Sequence, residues 1–261
     1  MPTVSGTELV TALSAFIASF LSGLLGIGGG VVLTPLLLYL PPAIGIGALP
    51  VKIITGLTIV QAIFGSVLGA FRHRAYGTVS TRLVLTMGPT GAAASLVGAF
   101  VSRDVDDRVL LGIFALLALA TAVLLLLPVE PKQTGTDDLQ LNVPLAVGIS
   151  IVLGFLGGMV GIGGIATIIG SLVYLLRVPA RIAIGSSLGI GMFAAVAALI
   201  GKAATAQIDP PLATIVALVA LVASPIGAWV SIRTQPHLLL RILAAVVIIA
   251  ALRMAASAVF G

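Results

Sequence analysis

Residues 20–30 read Phe20-Leu21-Ser22-Gly23-Leu24-Leu25-Gly26-Ile27-Gly28-Gly29-Gly30, and residues 155–165 read Phe155-Leu156-Gly157-Gly158-Met159-Val160-Gly161-Ile162-Gly163-Gly164-Ile165. The second phrase follows the first at an offset of 135 residues, without a gap. Two copies of one glycine-rich phrase, each breaking an apolar run near the start of a half, predict an internally duplicated chain. Weaker echoes follow in the same order. Pro50-Val51-Lys52-Ile53 corresponds to Pro179-Ala180-Arg181-Ile182, Gly56-Leu57-Thr58 to Gly185-Ser186-Ser187, and residues 73–80 to residues 202–209, all at an offset of 129. Pro89-Thr90-Gly91 pairs with Pro225-Ile226-Gly227 at an offset of 136.

The residues between these landmarks decide the solvent. Of 261 residues, 59% are hydrophobic and 8% charged, against roughly 25% charged in soluble domains. So few charges cannot cover a surface in water, and lipid must cover it instead. The runs at 109–127 and 212–230 are unbroken rather than alternating, which disfavours a β-barrel and predicts an all-α polytopic membrane protein. At about 20 residues per crossing, at most ten to twelve spans fit. The absence of cysteine excludes disulfides and thiolate chemistry. The thirteen Lys and Arg, a net charge of +5, are scattered at segment ends, so nucleic acid is not an expected partner. With no Lys or Arg before Lys52, the N-terminus lacks the basic region of a signal peptide and reads as mature sequence.

Ten apolar segments are expected, at 8–25, 31–40, 51–71, 81–102 and 109–127, then at 143–158, 165–176, 182–201, 210–231 and 239–260. The polar stretch 128–142, with Glu130, Lys132, Asp137 and Asp138, reads as a linker between a first transmembrane repeat, 1–127, and a second, 143–261. The second segment of each half is too short to span, so the first two form a hairpin broken at the glycines, its irregular backbone satisfied inside protein. If each hairpin returns to its starting side, or if both its arms cross, an odd number of crossings per half makes the two repeats inverted, as in many secondary transporters; a single broken helix crossing once in its place makes the number even. Eight basic residues (Arg72, Arg74, Arg82, Lys132, Arg177, Arg181, Arg233 and Arg241) fall on one side against five on the other (Lys52, Arg103, Arg108, Lys202 and Arg253). This excess predicts a multi-pass protein of the inner (plasma) membrane with both termini outside. The lipid bilayer is its expected partner; the oligomeric state is left open, a homodimer included.

The glycine phrases also predict a site. A helix that starts just after Gly28-Gly29-Gly30, or after Gly163-Gly164, points free N–H groups and the positive end of its dipole at an anion. Two such ends related by the repeat would converge at the midplane, with the Thr34 and Thr167 hydroxyls one turn beyond to donate to an oxyanion. Close helix packing is the competing role for these glycines. Gly161-Ile162-Gly163-Gly164-Ile165-Ala166 formally matches a dinucleotide fingerprint, but no strand precedes it and no acid stands about 20 residues beyond, so no nucleotide cofactor is expected.

All eight acids lie at segment ends or in loops, which argues against cation transport and carboxylate proton relays. The polar residues inside spans are neutral donors, Thr55, Thr58, Gln61, Ser186 and Ser187, and these suit oxyanions. Lys52 reads as an interfacial lysine with a share in anion attraction, and His73 as part of a basic loop. No nucleophile is paired with a base at depth, so no enzyme, metal or cofactor is expected.

At these residues the chain resembles the TauE/SafE sulfite exporter family. The resemblance rests on both glycine phrases, on Gly56-Leu57-Thr58 and Gly185-Ser186-Ser187-Leu188, on residues 73–79 and on the Pro-x-Gly segments. It implies transport of sulfite or organosulfonates, carried by the glycines of the two phrases. Together with the reading of the residues, it leads to the expectation of a secondary transporter that works by alternating access, with a small anionic substrate held at Gly28, Gly29, Gly30, Thr34, Thr55, Thr58, Gly163, Gly164, Thr167, Ser186 and Ser187. Ile165 stands where the first half has Gly30, and Leu57 where the second has Ser186, so the halves bind with different geometry. An anion channel and a carrier of small carboxylates remain the alternatives.

Overall fold

The computed structural model describes residues 5–25, 30–75, 79–126, 141–161 and 165–231, with 248 and 252. Every described element is a helix: α1 (Gly6–Leu25), α2 (Gly30–Ala43), α3 (Val51–Ala75), α4 (Thr81–Val101), α5 (Asp107–Leu126), α6 (Val143–Val160), α7 (Ile165–Tyr174), α8 (Ala180–Ala204) and α9 (Pro210–Ser231). They fall on the first nine expected segments. The tenth, 239–260, and most of the linker lie outside the described residues. Five helices are long and apolar enough to cross a membrane, Gly6–Leu24, Thr81–Val101, Val143–Val160, Ile182–Ala204 and Pro210–Gly227, whereas α2 is a shorter apolar helix. Large side chains such as Leu85, Leu116, Leu218 and Val222 are 60–62% exposed, the surface expected of a protein solvated by lipid.

Local chemistry sets the helix starts. Ser5 and Glu8 form a reciprocal capping box, in which Ser5 N–H donates to Glu8 Oε2 at 2.8 Å and Glu8 N–H to Ser5 Oγ at 3.3 Å. Asn142 caps α6 through Leu145 N–H, with Pro144 in the first turn, and Asp209 caps α9 through Leu212 N–H at 3.0 Å. α6 ends at Gly161, whose φ of 79° is left-handed and whose N–H bonds Gly157 O at 2.9 Å.

The two halves exchange their first helices. The three most extensive inter-helix packings are α4 on α6, α1 on α9 and α4 on α8, and in the first two the first helix of each half lies against the fourth of the other. Backbone meets backbone at both interfaces. A Cβ added to Gly23 would lie 2.0 Å from Ser224 O, and one added to Gly158 would lie 2.2 Å from Ser95 O. At Gly227 it would lie 2.0 Å from Phe20 O, and at Gly98 2.0 Å from Phe155 O. These contacts pair Ser95 and Gly98 with Ser224 and Gly227 at an offset of 129, not 136. The structural register of the fourth helices is therefore seven residues away from the pairing of Pro89 with Pro225. The two Pro-x-Gly runs are not equivalent positions.

α3 and α8 cross antiparallel at the centre. Lys202, near the end of α8, bonds Thr55 in the second turn of α3, while Ser186, near the start of α8, accepts from Ser80 N–H beyond the end of α3. These contacts define a Lys52 end and a Ser80 end of the bundle. Gly6 lies close to Ile46, with an added Cβ only 3.0 Å from Ile46 Cδ1, so the α1–α2 hairpin leaves and returns at the Lys52 end.

Candidate functional site

Lys202 is fully buried, with 0% exposure, although its place after an apolar run predicts an interfacial charge. Its ammonium Nζ donates to Gln207 Oε1 and Ser102 Oγ at 2.7 Å, and to Thr55 Oγ1 and the Met159 carbonyl at 3.0 Å. An ammonium has three N–H groups, so four acceptors cannot all receive a full bond, and one is shared. All four are neutral. No described carboxylate reaches Lys202, and a buried charge without a counter-ion costs on the order of several kcal/mol.

The acceptors come from both halves. Thr55 (α3) and Ser102, the C-cap of α4, belong to the first. Met159, at the end of α6, and Gln207, in the turn after α8, belong to the second. Gln207 is held by its own bonds: N–H to Lys202 O at 2.9 Å, Nε2 to Thr205 Oγ1 at 2.7 Å and Nε2 to Ala99 O at 3.2 Å. Gly56 lets Gln207 approach, since a Cβ there would lie 2.2 Å from Gln207 O. Gly161 sits beside the cluster, and a Cβ on it would lie 2.2 Å from Thr55 O and 2.3 Å from Thr58 Oγ1. At the edge, half-buried Lys52 donates to Arg103 O.

Of the expected site residues, the structure brings Thr55 and Thr58 to this cluster. Thr58 Oγ1 donates to Thr55 O at 2.8 Å, and Ser187 repeats that bond on Ile184 O at 2.8 Å in α8. Ser186 and Ser187 nevertheless lie at the other end of α8, about 24 Å from Lys202 at 1.5 Å per residue. Thr167 is engaged elsewhere, 2.8 Å from Thr121 Oγ1 of α5. Thr34 is 1% exposed and its hydroxyl has no partner among the described residues. Gly30 opens α2 and is buried, and α7 opens at Ile165, so helices begin where expected. Gly28, Gly29, Gly163 and Gly164 lie outside the described residues, as does the side chain of His73.

The glycines whose convergence is expected, Gly28, Gly29, Gly163 and Gly164, lie outside the described residues, and only the flanks of the two phrases can be placed. Gly161 borders the Lys52 end, whereas Gly23 packs on Ser224, about 21 Å along α9 from Pro210. The described members of the expected set are spread over α2, α3, α7 and α8. Lys202, Ser102 and Gln207 are missed by the sequence reading, although a lone lysine among Gly201, Ala203 and Ala204, aligned with His73 of the first half, carried a signal.

Comparisons place this geometry in a family. The profile described as "Sulfite exporter TauE/SafE" matches residues 11–254. The chain is similar to the probable membrane transporter protein MJ0441 of Methanocaldococcus jannaschii, 24% identical over 231 residues and 85% of each chain. It is also similar to the probable membrane transporter protein YjnA of Bacillus subtilis, 26% identical over 246 residues, 90% of this chain and 94% of the relative. A probable membrane transporter protein of Haemophilus influenzae is 30% identical over 159 residues, 60% of this chain and 59% of the relative. No solved structure matches. The chain belongs to the TauE/SafE sulfite exporter family of membrane transporters.

Proposed function

We propose that the protein is a secondary carrier of small sulfur-containing oxyanions, sulfite or organosulfonates, working by alternating access between inverted halves in the plasma membrane. The observation that carries this reading is Lys202, a buried cation whose bonded partners are all neutral. An ionisable group at membrane depth is a functional-site candidate by default. A cation without a counter-ion there attracts an anion, and the described acids leave it unneutralised: Glu8 is held in the capping box of α1, Asp104, Asp106 and Asp107 are exposed, and Asp209 caps α9.

Alternating access finds support in the helix exchange, the antiparallel α3 and α8, and the four-way tie at Lys202, which joins both halves at one end. Anion binding at Lys202 competes with Thr55 and the Met159 carbonyl for its N–H groups, and so loosens that tie. Thr55, Thr58 and the backbone beside Gly161 are the neutral groups nearest to the bound anion. Orientation is read from the basic residues, and removing buried Lys202 from the loop charges widens the excess that favours both termini outside.

Liposomes carrying the purified protein test the reading with sulfite, sulfoacetate and taurine. Saturable flux accelerated by substrate on the far side is expected. Linear conductance in a planar bilayer makes the protein a channel instead, and binding of cations without any anion ends the oxyanion reading.

A further inference from the structure

All four buried side-chain polar atoms that lack a hydrogen-bond partner among the described residues belong to the first three helices: Thr11 Oγ1 and Ser14 Oγ of α1, Thr34 Oγ1 of α2 and Gln61 Oε1 of α3. Gln61 is the largest of them and is 1% exposed. It stands about 15 Å into α3, deeper than the Lys202 cluster. Its Nε2 donates to Ser19 Oγ at 3.2 Å, and Ser19 is itself 1% exposed. Leaving a buried polar atom unpaired is costly, so each one calls for a physical account.

The repeat provides an internal comparison. The offset of 129 read from the sequence for α3 and α8, which the matching Thr58–Thr55 and Ser187–Ile184 bonds also obey, and the offset of 135 shared by the backbone contacts of α1 and α6 place Ile190 at the position of Gln61 and Gly154 at that of Ser19. Ile190 and Gly154 line a cavity of about 10 Å³ between α4, α6, α7 and α8, room for no more than one water. One half is therefore polar, with unspent hydrogen-bonding capacity, at the position where the other is apolar.

We propose that Gln61, oriented by Ser19, is a substrate-binding residue deeper in the membrane than Lys202, which hydrogen-bonds the oxygens of the anion after it leaves the Lys202 cluster. A half-turn of the carboxamide makes this possible without moving the backbone. Ser19 Oγ then donates to Oε1, and the NH2 group takes the place of the unpartnered oxygen, presenting N–H donors to an oxyanion. The first half thus supplies the deep contact and the second half supplies the charge. This rests on the oxyanion carrier reading and adds to it the residue that contacts the substrate within the span.

Calorimetry on the full-length protein in detergent, with sodium sulfite and sodium methanesulfonate as probes, tests the assignment. Gln61→Leu removes an unpaired polar atom, so its melting temperature is expected at or above that of the wild type. Its sulfite Kd is expected to rise at least tenfold, and that of Ser19→Ala at least threefold, while Ile190→Val stays within twofold. Sulfite Kd values within twofold of wild type for both Gln61→Leu and Ser19→Ala overturn the assignment and leave the carrier reading standing. A wild type that binds neither probe overturns the carrier reading itself. Should Gln61→Leu fail to fold, Ser19→Ala decides by the same thresholds.

Discussion

Lys202 Nζ lies 2.7 Å from Gln207 Oε1, a residue five positions further along the chain and past the end of the same helix. The chain turns back on itself to offer its own cation a neutral acceptor, and Gln207 is anchored in turn to Ala99 O of the opposite half. A carboxylate at position 207 would neutralise Lys202 permanently. Glutamine holds the ammonium in place and leaves its charge uncancelled, as an anion site requires.

That relationship predicts the effect of Gln207→Glu. The new carboxylate is expected to pair with Lys202, preserve the fold and lower sulfite flux at least tenfold, because a bound anion must then displace a like charge. Liposome flux together with a melting curve checks both halves of the statement.

Gly161 separates backbone need from mere smallness. Its left-handed φ costs any other residue about 1–2 kcal/mol, and an added Cβ would also meet Thr55 O at 2.2 Å. Gly161→Ala is therefore expected to lose at least that much stability. Gly112 and Gly148 have nothing within 4 Å of an added Cβ. Alanine at either is expected to be neutral or to stabilise by up to about 1 kcal/mol. Thermal denaturation of the three variants side by side reads the contrast.

The helix exchange predicts matched losses. Gly98→Ala and Gly227→Ala each drive a Cβ to 2.0 Å from a phenylalanine carbonyl, Phe155 and Phe20 respectively. Because these carbonyls belong to backbone, neither side can yield cheaply. Both variants are expected to lower the melting temperature by similar amounts. A large loss at one and none at the other would break the equivalence of the two interfaces.

Thr167 and Thr121 bond each other across α7 and α5, away from Lys202. Thr167→Val and Thr121→Val are expected to cost about 1 kcal/mol each for a lost hydrogen bond, with sulfite KM unchanged. A shift in KM would return Thr167 to the substrate site.

Much of the fold was legible because each signal is local. Hydrophobic runs set nine described helices within a few residues, the glycine phrases marked where α1 and α6 end, and the short second segment of each half appeared as α2 and α7. The register of the fourth helices was not legible. Pro89 and Pro225 look alike in sequence, but equivalence is fixed by which carbonyl each glycine touches, and those carbonyls belong to helices of the other half. The site was half legible for the same reason. Thr55 and Thr58 stand out as polar residues inside an apolar run, whereas Lys202 reads as a span end because its burial comes from α4 and α6, far away in sequence.

Sulfite flux into liposomes containing Lys202→Met, measured beside the wild type, tests the central claim most directly. Methionine preserves the length of the side chain and removes the charge, and with it the donor shared by Thr55, Ser102, the Met159 carbonyl and Gln207, a loss that costs some stability. The account predicts a variant that folds and moves sulfite no faster than protein-free liposomes. A folded Lys202→Met protein that transports sulfite at the wild-type rate would contradict it.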